Sequence, residues 1–69
     1  MLEITLSIDA PVWKLQKCLI ELEPKVMWSE YDGKKRMLVV DATNCNTKDI
    51  EGTLLATIGV DMIDEIREI

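Results

Sequence analysis

The sequence predicts an α+β domain whose elements run strand, helix, strand, strand, helix, strand. Three observations predict it. Residues Leu2 to Asp9 alternate apolar with polar side chains, the segment Trp28 to Val40 reads as two strands joined through Asp32-Gly33, and a helical apolar pattern lies on each side of that hairpin. The order βαββαβ bounds the architecture more tightly than any single motif in the chain.

Each element has its own local reason. Leu2, Ile4, Leu6 and Ile8 are interleaved with Glu3, Thr5, Ser7 and Asp9, the period of two that gives a strand one apolar and one polar face. Asp9 suits a helix N-cap and Pro11, with its fixed φ, suits a first helical turn, so a helix is expected from about residue 10. Val12, Leu15, Leu19 and Leu22 recur at spacings of three and four and predict its buried stripe, with Cys18 beside it and Lys14, Lys17 and Glu21 on the solvated face. Glu23-Pro24 ends it, because a residue before proline is pushed out of the α region.

Val26 to Tyr31 and Arg36 to Ala42 are rich in β-branched, aromatic and aliphatic residues and predict the hairpin strands. Asn44, Asn46 and Thr47 are each suited to cap a second helix, and Asp49 would favour the positive end of its dipole. Ile50, Leu54, Leu55 and Ile58 predict its apolar stripe, and Gly59 its C-terminal cap. The tail, residues 60–69, spaces Ile63, Ile66 and Ile69 by three, which suits a helix as well. A closing strand is preferred because a three-strand sheet would leave an unpaired edge.

Sixty-nine residues make one domain, residues 1–69, with a single small core. A chain of this size ordinarily needs disulfides, a metal or oligomerisation to gain a comfortable margin of stability. Two cysteines and no histidine supply neither a disulfide framework nor a zinc ligand set, so no metal and no cofactor is expected. The first residues, MLEITLSID, have no basic leader and carry Glu3 and Asp9, so they predict neither a signal peptide nor a membrane span. A cytoplasmic setting with reduced thiols is the expectation. Thirteen acidic against eight basic residues give a net charge of −5, which repels nucleic-acid phosphates and anionic membranes alike.

The element order resembles the ferredoxin-like fold, which implies an antiparallel sheet ordered 4-1-3-2 with both helices on one face. Asp9-Ala10-Pro11 between the first strand and helix, with Leu38 to Asp41 in the third strand, loosely resembles ACT-type domains that sense small ligands. That resemblance implies ligand binding at Asp9, Ala10 and Pro11. Other ferredoxin-like classes fit less well. Heavy-metal-associated domains carry Cys-x-x-Cys where this chain has Ala10-Pro11-Val12-Trp13, acylphosphatase-like enzymes need an arginine in the first loop and none precedes Arg36, and RNA-recognition motifs need stacking aromatics on their central strands.

Cys45 precedes a helix but has no histidine to act as its base and no second cysteine nearby, so no catalytic residue is assigned. Lys34-Lys35-Arg36 is the only basic run and reads as a solvated turn. Trp13 and Ile20 lie seven apart, to one side of the predicted stripe, and Trp28 and Tyr31 fall on opposite faces of the second strand. These four predict an association surface. The expectation is a non-enzymatic regulatory or ligand-sensing module acting as a homo-oligomer, most simply a dimer. An accessory subunit binding a protein partner through an aromatic surface or sheet edge is the alternative.

Overall fold

A computed structural model describes residues 1–69. The chain forms β1 (Leu2–Leu6), α1 (Val12–Leu22), β2 (Trp28–Asp32), β3 (Met37–Asp41), α2 (Thr47–Thr57) and β4 (Ile63–Glu68), with one 3-10 turn, Val60–Met62, leading into β4. The sheet is antiparallel and ordered β2-β3-β1-β4, the 4-1-3-2 arrangement read in reverse, so β1 and β3 are central while β2 and β4 are edges.

Period-two patterning places the core. Leu2, Ile4 and Leu6 are buried on the helix side of β1, and Val40 and Leu38 of β3 lie opposite Leu2 and Ile4. Leu15, Cys18 and Leu22 close over them from α1, and Ile50, Leu54 and Ile58 from α2 and its C-cap, completing an eleven-residue apolar cluster. The other face of the sheet carries no helix. Glu3, Thr5, Met37 and Val39 lie half-buried there because that face stays in contact with water.

The hairpin loop spans Gly33–Arg36, longer than a two-residue turn. Asp32 Oδ1 accepts from the N–H groups of Lys34 at 2.9 Å and Lys35 at 3.3 Å, which folds the chain back, and Arg36 closes the loop at φ 53°. Asn46 is the cap of α2, its Oδ1 accepting from the N–H groups of Lys48 and Asp49. Ile58 is the C-cap of α2, and Gly59, expected as the cap, follows it at φ 95° and ψ 145°, an extended positive-φ conformation outside the left-handed helical well of a capping glycine.

Four further sequence expectations need correction. β1 stops at Leu6, so Ile8, expected in the apolar row, is exposed. Asp9 does not cap α1: a turn intervenes, with the Asp9 N–H on Ser7 Oγ and the Ala10 N–H on Ser7 O. The helix starts at Val12, with Pro11 in the cap position and no side-chain cap. Val12, placed in the buried stripe, is 68% exposed at the first position of the helix, and burial begins only at Leu15. In α2 the buried positions are Ile50, Thr53, Leu54 and Thr57, and Leu55 points outward. The threonines are tolerated there because Thr53 Oγ1 donates to Asp49 O and Thr57 Oγ1 to Thr53 O, which removes the cost of an unpaired buried hydroxyl. The expected closing strand is present as Ile63–Glu68, and the helical spacing of its isoleucines has its own origin. A β-bulge sets Leu6 opposite Ile63 and Ile4 opposite Ile66, so two residues of β1 face a three-residue step of β4 and both isoleucines reach the core side.

Candidate functional site

The largest cavity lies along the outer edge of β2, where the end of α1 overhangs it, with a volume of about 440 Å³. Sequence order builds it directly. Glu23 keeps α-region dihedrals, contrary to the expectation that the proline would push it out, and α1 ends before Pro24, which has no N–H to donate. The chain crosses through Lys25 and Val26, and the Met27 N–H donates to Asp41 O, delivering the chain into the outermost strand beneath the helix it has just left. Leu19 and Val26 are half-buried and pack against the core, and Tyr31, on the helix side opposite Leu38, does the same. Ile20 and Met27, about 70% exposed, stand over the opening, and Trp28, on the helix-free face opposite Asp41, borders it at the strand's start.

The cleft's charges are of one sign. Glu23 and Glu30 line it and no basic side chain does, so its electrostatics suit a neutral or cationic apolar group and oppose an anion. A volume of this order lies within the range of small-molecule sites, and the mix of an apolar floor with a few polar groups is what such sites use.

The two sheet edges differ in how they meet solvent. β4 is bulged against β1 and carries Asp64, Glu65, Arg67 and Glu68, with Arg67 bridging to Glu3 at 3.4 Å and to Glu65 at 3.9 Å, devices that discourage a further strand. β2 pairs with β3 in regular register and has neither bulge, lysine nor proline; Glu30 and Asp32 are its only charges. Its outward backbone groups therefore remain open to pairing beside an exposed apolar flank.

Of the four residues read from sequence as an association surface, the cleft brings together Ile20, Trp28 and Tyr31. Trp13 is 64% exposed but lies outside it, with the Lys14 ammonium 5.5 Å from its ring. Asp9, Ala10 and Pro11 form the turn before α1 and line neither cavity of the molecule. Met27, Glu23 and Glu30 were not singled out in the sequence. Met27 stands between the helix-ending Pro24 and the first strand residue Trp28, and that short crossing was the available signal that it sits at a strand edge under a helix. Cys45 donates its S–H to Thr43 O, Cys18 is fully buried, and no cluster of three or more metal-ligating side chains exists. No helix is long and apolar enough to cross a membrane.

Compared with protein-family models, with curated proteins and with solved structures, the chain matches none of them.

Proposed function

We propose that this protein is a non-enzymatic regulatory or ligand-sensing module that acts as a homo-oligomer, with the α1–β2 cleft as its working surface. The observation that carries the reading is the coincidence of an unprotected strand edge with the exposed side chains of Ile20 and Met27 and a cavity between them. An interface of ordinary size takes about 800 Å² from each partner, close to a fifth of this molecule's 4569 Å² surface. Strand pairing alone covers too little, so the overhanging side of α1 belongs to the contact as well. The occupant that supplies both a strand and an apolar helix flank is a second copy of the chain.

Ligand sensing fits the same place. The carboxylates of Glu23 and Glu30 select neutral or cationic apolar molecules over anions.

Sedimentation velocity at tens of micromolar tests the association, and Met27→Lys tests its location. The expected result is a dimer for the native chain and a monomer for the variant. A native chain at monomer mass across that range overturns the oligomeric reading. Thermal denaturation with a panel of neutral, cationic and anionic metabolites tests the sensing: stabilisation confined to the first two classes supports it, and a shift with anions alone contradicts the cleft assignment.

A further inference from the structure

Resting on that reading, we infer that two copies pair β2 with β2 in one specific antiparallel register, with Ser29 on the two-fold axis, so that each cleft is completed by a side chain of the other copy.

Symmetry limits the choices. A closed two-fold dimer that continues the sheet through antiparallel β2 strands has its axis perpendicular to the sheet, which keeps all helices on one side. Directly opposed residues must then belong to the same face. Helix-side residues Ser29 and Tyr31 oppose helix-side residues, and open-face residues Trp28, Glu30 and Asp32 oppose their own kind. For a strand as short as Trp28–Asp32, three registers satisfy this, with Ser29, Glu30 or Tyr31 on the axis. A parallel two-fold pairing is excluded by the pleat: an axis along the strands turns the second copy over and sets residues of equal height on opposite faces.

The chemistry separates the three antiparallel registers. With Glu30 on the axis, two carboxylates meet face to face and Trp28 opposes Asp32; with Tyr31 on the axis, Glu30 of each copy opposes Asp32 of the other; directly opposed like charges are destabilising in both. With Ser29 on the axis, the two serines meet, Trp28 of each copy opposes Glu30 of the other, and Asp32 extends past the paired segment. Met27, which precedes the strand and lines the cleft, then comes level with Tyr31 of the second copy. That places the exposed side chain of Met27 and the half-buried ring of Tyr31, both lining the cleft of the single chain, level with each other, and joins the two clefts under the paired α1 helices. β4 offers no equivalent, because its bulge and its charged row interrupt the ladder on that edge.

Cross-strand disulfide trapping reads the register. Opposed residues in an antiparallel pair have Cα atoms about 4.5–5.5 Å apart, within the span a disulfide bridges. In a Cys45→Ser background, with Cys18 shielded in the core, Ser29→Cys and Glu30→Cys are oxidised with copper phenanthroline and resolved on a non-reducing gel. Covalent dimer is expected to form at least tenfold faster with Ser29→Cys than with Glu30→Cys. Faster trapping of Glu30→Cys overturns the register. A dimer by sedimentation with no trapping at either position overturns the Ser29 register while leaving the association reading intact, and a monomer throughout overturns both. Met27→Asp guards against a misfolded cysteine variant: at a position this exposed it is expected to raise the dimer dissociation constant at least tenfold with unchanged circular dichroism. Unchanged dimerisation in that variant contradicts the inference.

Discussion

The Lys25 ammonium donates to Thr53 Oγ1 at 2.7 Å and reaches Asp49 Oδ1 at 3.4 Å, joining the α1–β2 crossing to the middle of α2. Thr53 passes the interaction on, since its hydroxyl donates to Asp49 O. The crossing that forms one wall of the cleft is thus tied to the second helix by a chain of hydrogen bonds. Lys25→Met is expected to lower stability by about 1 kcal/mol, the usual net worth of such a bond. Thr53→Val, Lys25→Met and the double variant form a cycle measured by urea unfolding. Additive losses would show that the two residues are not coupled.

The two glycines of the second half respond oppositely to alanine. Gly52 lies in the interior of α2 with nothing within 4 Å of where a Cβ would sit, so Gly52→Ala should raise stability by about 1 kcal/mol through helix propensity. Gly59 has the same open space, but at φ 95° and ψ 145° it occupies a region that only glycine adopts readily. Gly59→Ala should therefore cost about 1–3 kcal/mol. Thermal midpoints moving in the same direction for both would contradict this account.

Asp41 gives the chain an acid-sensitive contact. Its Oδ1 accepts from Thr43 Oγ1 at 2.6 Å and from the Thr43 N–H at 3.1 Å, and these bonds hold the carboxyl below its ordinary value. A depressed folded-state pKa contributes stability above the ordinary aspartate value, and that stability is lost as pH falls through the lowered one. Asp41→Asn is expected to flatten the loss of stability below about pH 4. An acid unfolding profile unchanged by the substitution would refute the contribution.

The thiols should separate kinetically. Burial pushes the Cys18 thiol pKa up, with the Thr57 hydroxyl partly offsetting it, whereas Cys45 is half-exposed. Under native conditions a thiol reagent is expected to modify Cys45 first and Cys18 only on unfolding. Cys18→Ser should lower stability by about 1–3 kcal/mol, because it sets a hydroxyl in the apolar core. Equal native labelling rates at the two sites would contradict the burial argument.

Much of the fold was legible from local patterns. The alternation Leu2-Ile4-Leu6, Pro24 as a helix stop, Gly59 after α2 and the element order all act within a few residues of chain, and they determined the βαββαβ layout. Tertiary structure decided what local patterns leave open. Ile63 and Ile66, three apart, fit a helix equally well until pairing with β1 inserts a bulge between them and turns both inward. Thr53 and Thr57 look polar in sequence and Leu55 apolar. The facing of α2 buries the threonines, whose hydroxyls find carbonyls one turn back, and leaves Leu55 in water. For the site, the sequence marked Ile20, Trp28 and Tyr31, but it could not place Trp13 apart from them or bring in Met27, Glu23 and Glu30. Membership in the cleft depends on α1 lying over an edge strand, and which strand becomes an edge is settled by long-range pairing of β1 with β3 and β4.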